Sequence, residues 1–518
     1  MAGSLYLQPT DPNSFVSSIP IKGVTSVMKN GNDATGLVER LDKPFKTYGA
    51  AAAAVAAFYT GGNSPSSTNR VLIDVYPGFY EEQISLLNFV DVNLRDAVFN
   101  HRLAGATNAT INDSGGAVNC IIWGNGIINR DALGATANSF GLQLLNASTV
   151  TIYCNSINSS LDAAIDINNN ANVKVFGDVK TTAANFGAIK DNAGGALTYN
   201  LSITGNVTNG LNGTINMQNI ASTIVINGNL ISAGTGGLLV SNGLFYVRGN
   251  LSANDNMINV DAGALDIIGN VTMVDTNQSA IVTTGGVTKV VGNVVGNIDM
   301  AGGTYLQYGN VNVDGVEAFS CEAGTGFVYG NITSTGAQGI FGTGGSLIVY
   351  GNVISSSGAT PAVDIDTSTL VINGDCYSNG ASSTINVNGT ASFTLNGTSY
   401  NTVDPGGSAY ALVTTGGIVK CEINGDLISQ GQVAALLNGT SATLNNSRIV
   451  TKGANKDACS SASFGNIFNG CVFIATGTGK SLTAGSNATI YGACQGNKAL
   501  GAGVTLRVGI ITIDSNVI

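Results

Sequence analysis

Val328-Tyr329-Gly330-Asn331-Ile332 is followed, one repeat later, by Val349-Tyr350-Gly351-Asn352-Val353. The same phrase, an apolar run, then Gly-Asn or Gly-Asp, then Val, Leu, Ile or Cys, recurs from Gly177-Asp178 to Gly374-Asp375. Its Asn or Asp stands at 178, 206, 229, 250, 270, 293, 310, 331, 352 and 375, so nine intervals cover 197 residues. A period of about 22 residues is the mark of a solenoid, in which each repeat buries its apolar face only against the next. A four-bladed propeller repeat is about twice as long, and a leucine-rich repeat carries a Leu-Asn ladder absent from this sequence. Short runs of Val and Ile broken by Gly, Asn and Ser fit an all-β chain wound as a single-stranded parallel β-helix. Weaker phrases upstream and downstream, such as CIIWGNGII, CEINGDLIS and IFNGCVFI, extend the count to about 17 coils.

Period-two alternation assigns the faces of each coil. Two residues before the glycine stands a column from Ile226 to Ile372, and two residues after it a column from Leu230 to Cys376. Both are expected to point inward and stack, each burial contributing about 1.5–3 kcal/mol. The glycine is expected to supply a bend, and the asparagine to tolerate left-handed geometry and hydrogen-bond its neighbours. By the same parity the residue just before the glycine points outward. Over five successive coils it is Ile268, Val291, Tyr308, Tyr329 and Tyr350. An exposed apolar stripe of this length marks a contact surface: a subunit interface, a tyrosine platform for sugar rings, or rungs that stack on one another.

The 518 residues hold 70 Gly and only 10% charged residues, against about 25% charged in an ordinary globular chain. No apolar run reaches the roughly 18 residues of a membrane span, and the first residues lack the basic and apolar regions of a secretion signal. A net charge of −10 argues against nucleic-acid binding, which needs a basic patch to displace counterions from phosphate. The eight cysteines form no CxxC pair and several lie inside apolar strands, so they read as small buried hydrophobes. With His101 the sole histidine, neither a metal site nor a cofactor is expected.

Four segments follow. Residues 1–45 hold four of the eight prolines and read as an extended arm and lead-in loop. Residues 46–70 hold an Ala-rich helix, expected from Thr47 to Tyr59 and stopped at Gly61-Gly62, and a polar loop. Residues 71–450 form the β-helix, and 451–518 read as less regular coils and a cap.

Two stretches carry a family resemblance. Residues 27–55, VMKNGNDATGLVERLDKPFKTYGAAAAAV, and residues 71–86, VLIDVYPGFYEEQISL, resemble the start of pectate-lyase-like right-handed β-helices of bacteriophage tailspikes and virion fibres. The first matches a loop leading to a helix that caps the open end of the first coil, and the second matches the first rung. The resemblance implies a structural virion protein that presents its rod for attachment to a host-surface glycan. It also implies a homo-oligomer, with a trimer favoured, and an N-terminal arm joined to other virion proteins. No membrane insertion is implied. The alternatives are a depolymerase, hydrolase or lyase, of host polysaccharide, and an architectural decoration that touches no glycan.

An enzyme of this fold would need paired carboxylates roughly 5–10 Å apart. Asp364 and Asp366, in VDIDT, share a strand face and are the best pair; Asp162 with Asp166 and Glu422 with Asp426 are others. Asp beside a turn is ordinarily a hydrogen-bonding turn residue, and no Arg or Lys neighbours Asp364 in sequence. A non-enzymatic protein is therefore the expectation.

Overall fold

A computed structural model describes residues 21–513 except 103–108, 132–138, 192–196, 220, 233, 235, 255–257, 276–277, 404–408, 463–464, 485–488, 492 and 498–509. Half of the chain is strand and 3% is helix, wound as a parallel β-solenoid of about 17 turns. It divides into two compact units: residues 1–257 with 263–266, and residues 258–262 with 267–518.

In the first unit the solenoid begins earlier than the sequence suggested. Part of the expected arm, Ile21–Val27, is a strand that pairs in parallel with Arg70–Val75, which pairs in turn with Val90–Arg95. Residues 1–20 of that arm lie outside the described residues. The helix runs from Tyr48 to Phe58 and packs Tyr48, Ala51, Ala52 and Val55 inward. Its start is held twice over. Thr47 Oγ1 accepts the Ala50 N–H, and Asp33 Oδ1 accepts the N–H groups of Lys46 and Thr47 at 2.7 and 2.9 Å. A carboxylate there also complements the helix dipole. Buried Arg70 ties three rungs together, with two 2.6 Å bonds to Asp91 and further bonds to Asn119.

Each coil of the second unit has three short strands, and like strands form three parallel ladders. One precedes the motif glycine, as in Thr304–Tyr308 against Thr325–Tyr329. One follows it, as in Val311–Val313 against Ile332–Ser334. The third closes the coil, as in Phe319–Cys321 against Ile340–Gly342 and then Val363–Ile365. The pairing persists past residue 451, where Cys459–Ser461 meets Leu482–Ala484 and Ile467–Asn469 meets Thr489–Tyr491.

Both inward columns are buried throughout, in the first unit at Ile226, Val247, Leu230 and Leu251 and in the second from Ile267 to Ile372 and from Val271 to Cys376. Gln307 is the polar member. Its Oε1 accepts the buried Tyr305 hydroxyl at 2.8 Å, and its Nε2 donates to the Gly292 carbonyl at 2.6 Å. The coil after Tyr305 places Gly326 opposite it, so a large side chain is matched by a missing one.

The motif glycine is required by close approach. A Cβ on Gly330 would lie 2.2 Å from the carbonyl oxygen of Gly309, and one on Gly351 would lie 2.2 Å from that of Gly330. Of the two properties expected of the asparagine, hydrogen bonding to its neighbours is present and left-handed geometry is not. Among the described residues the non-glycine positive φ angles fall at Glu39, Phe89, Arg95, Asn446 and Asn455, none of them a motif position. The motif asparagines instead form a side-chain ladder. Within the second unit, Oδ1 of Asn270, Asn293, Asn310, Asn331 and Asn352 each accepts the backbone N–H of the next motif residue at 2.8–2.9 Å. The first unit repeats this from Asp178 to Asn250. At the corner this bond pairs an N–H that would otherwise be left without an acceptor.

Candidate functional site

The strands that precede the motif glycine in the second unit present two outer columns. The one nearest the glycine holds Ile268, Val291, Tyr308, Tyr329 and Tyr350, which are 37–51% exposed. The parallel register sets like residues one strand spacing apart, about 4.8 Å, and the tyrosines follow it. Tyr308 and Tyr329 stack with ring centroids 4.9 Å apart and planes 4° from parallel, and Tyr329 and Tyr350 with 4.8 Å and 2°. Both faces of the Tyr329 ring are thus covered by its neighbours. The stack offers solvent its ring edges and hydroxyl groups, not a ring face on which a sugar could lie.

The second column was missed in the sequence. Two residues further from the glycine stand Leu306, Phe327, Ile348 and Val371, aligned by ladder pairing and half-buried. Parity places them on the same face as the tyrosines, so alternation alone could have found them. Together the columns make an apolar and aromatic strip two residues wide.

Beyond Tyr350 the outer column changes chemistry without changing place. Asn373, Asn396, Asn424, Asn445 and Asn469 form an amide ladder in which each Nδ2 donates to the preceding Oδ1 at 2.6–2.9 Å. Aromatic stacking and amide bonding both follow from repeating one residue type at the strand spacing.

The carboxylates sit elsewhere. Asp364 points outward from the third ladder between Phe341 and Asn386, and Asp366 lies exposed just past the strand end. Asp364 Oδ1 accepts from Asn386 and Asn388 at 2.9 and 3.2 Å. Burial raises its pKa above the ordinary value, and the charge of nearby Asp366 adds to the rise against bonds from Asn386 and Gln338. The sequence pair is therefore brought together, one carboxyl shielded and the other open. In the first unit, buried Asp162 caps the Ala163 N–H, while Asp166 accepts from Gln143 and Asn168. Glu422 accepts from Asn445, and Asp426 binds both the backbone N–H and Nε of Arg448. Those four are occupied by structural contacts. His101 is buried, and its carbonyl accepts from Arg130.

All eight cysteines are free and buried. Among the described residues no group of three or more His, Cys, Asp or Glu side chains is placed to hold a metal, and no helix is long and apolar enough to cross a membrane. No protein-family model, curated protein or solved structure gives a significant match to the chain.

Proposed function

We propose that the chain is a structural virion protein of the tailspike or fibre kind, displayed on the particle surface, whose solenoid serves attachment to a host-surface glycan. The observation that carries this reading is the two-column apolar strip around Phe327 and Tyr329. An exposed strip of that kind is suited to contact with another protein surface, here further copies of the chain, with a trimer as the favoured assembly. The amide ladder from Asn373 to Asn469 and the tyrosine hydroxyls supply donors and acceptors at regular spacing, a chemistry suited to glycan hydroxyl groups. The N-terminal segment, residues 1–45, would join the chain to other virion proteins. The resemblance of residues 27–55 and 71–86 to tailspike β-helices supports the same assignment.

The test is incubation of the full chain with purified host-surface polysaccharide, reading both binding and new chain ends. Binding without cleavage supports the proposal. New reducing sugars or unsaturated uronates overturn it in favour of a depolymerase. Neither binding nor cleavage leaves an architectural decoration.

The depolymerase reading has one observation of its own. Asp364, with its raised pKa beside exposed Asp366, resembles an acid and base pair in miniature. Cleavage that survives Asp364→Asn would remove that pair from consideration.

A further inference from the structure

The motif at Gly470 has Cys471 where asparagine is the rule. In the next coil the register slips. Asn469 pairs with Tyr491, yet Val472 pairs with Gln495, so one extra residue is accommodated and Cys494 comes to lie opposite Cys471. The backbone N–H of Cys471 donates to Cys494 Sγ at 3.2 Å, while the Cys471 and Cys494 thiols donate to the carbonyls of Leu444 and Phe468 at 3.2 and 3.8 Å. Both side chains are fully buried. Neighbouring parallel strands run about 4.8 Å apart, inside the Cα separation of about 4.4–6.8 Å that a disulfide spans.

We propose that Cys471 and Cys494 are a disulfide-forming pair that staples two successive coils under oxidising conditions. The other cysteines serve as packing, like the Val and Ile of their columns. Here two thiols replace the asparagine bond that links coils elsewhere, so a covalent rung would stand where the side-chain ladder is interrupted.

In the folded coils the close approach of the two thiols draws Cys494 below its ordinary pKa, against burial and helped by the N–H groups of Cys471 and Gly470, and pushes Cys471 up. With oxidised glutathione as oxidant, the Cys494 thiolate attacks one sulfur, breaks the S–S bond and releases a glutathione thiolate. Cys471 then gives its proton to water and attacks the Cys494 sulfur, expelling the second glutathione. Two protein thiols are oxidised and one glutathione disulfide is reduced to two thiols. Because the pair is buried, exchange takes place during local opening of these coils, over minutes to hours.

The experiment incubates the native full chain with oxidised glutathione, then denatures it, blocks remaining thiols with iodoacetamide and maps the tryptic peptides. The expected result is residues 457–480 joined to residues 481–498. Six of the eight cysteines are alkylated, and the intact mass read before alkylation falls by about 2 Da for the lost hydrogens. Cys459 shares the first peptide, so Cys459→Ser should keep the link and Cys494→Ser should abolish it. Alkylation of all eight cysteines overturns the proposal. So does glutathione retained on Cys494 beside a free Cys471, or a link between any other two.

Discussion

Asn331 Oδ1 accepts the backbone N–H of Asn352 at 2.8 Å, while the Asn352 carbonyl accepts the N–H of Ile332 at 2.9 Å. One coil is thus tied to the next at its corner by a side-chain bond and a backbone bond running in opposite directions. Truncation by Asn331→Ala leaves the Asn352 N–H without its acceptor, a loss of about 1 kcal/mol at this half-buried site. Hydrogen exchange at Asn352 should accelerate roughly fivefold. Asn331→Asp keeps the acceptor, as Asp178 and Asp375 do in their own coils, and should exchange close to the parent rate.

The glycine before it is constrained by space. Gly330→Ala drives a methyl group into the Gly309 carbonyl, and the coils must separate to admit it. A loss of about 3 kcal/mol is expected, read as a lower urea midpoint. An equal substitution at Gly358, where a Cβ meets nothing within 4 Å, should leave the midpoint nearly unchanged.

Tyr305→Phe tests the interior. It removes the hydroxyl that donates to Gln307 Oε1 and leaves a buried acceptor unpaired, at a cost of about 1–3 kcal/mol. Adding Gln307→Val to the Tyr305→Phe variant restores the residue type of Val290 and Val328 and should recover most of that loss.

The pH dependence at Asp364 has a definite sign. Its carboxyl is raised from 3.8 in the folded chain, chiefly by burial, so folding favours the protonated form. That contribution to stability is complete below the unfolded value and is lost as pH rises through the folded one. Asp364→Asn cannot ionise. Thermal melts from pH 3 to pH 7 should show the Asn variant gaining on the parent as pH increases; a difference that shrinks would contradict the assignment.

The coil length, the two inward columns and the tyrosine stripe were legible because all three depend only on distance from the glycine. The second apolar column, from Leu306 to Val371, obeys the same parity and was within reach of the sequence. The role of the asparagine was legible only in part: hydrogen bonding was expected, but so was a left-handed backbone. A left-handed corner and a side-chain ladder both favour Asn, and the structure separates them: no motif asparagine has a positive φ, while the Oδ1 bonds recur. The amide ladder from Asn373 to Asn469 was within reach too, since Asn373, Asn396, Asn424 and Asn469 stand directly before a glycine as the tyrosines do; only at Asn445, where Asn446 replaces the glycine, is the register needed. The start of the solenoid at Ile21 was missed because prolines on either side masked a single strand whose partner, Arg70–Val75, lies beyond the helix.

Sedimentation velocity of the full chain over a wide concentration range reads whether the strip around Phe327 and Tyr329 joins copies of the chain. An assembly larger than one copy is expected, with a trimer favoured, that dissociates when Phe327 and Tyr329 are both replaced by Ser while circular dichroism remains that of β structure. A parent chain that sediments as a monomer at every concentration would contradict it, as would a double variant that assembles unchanged.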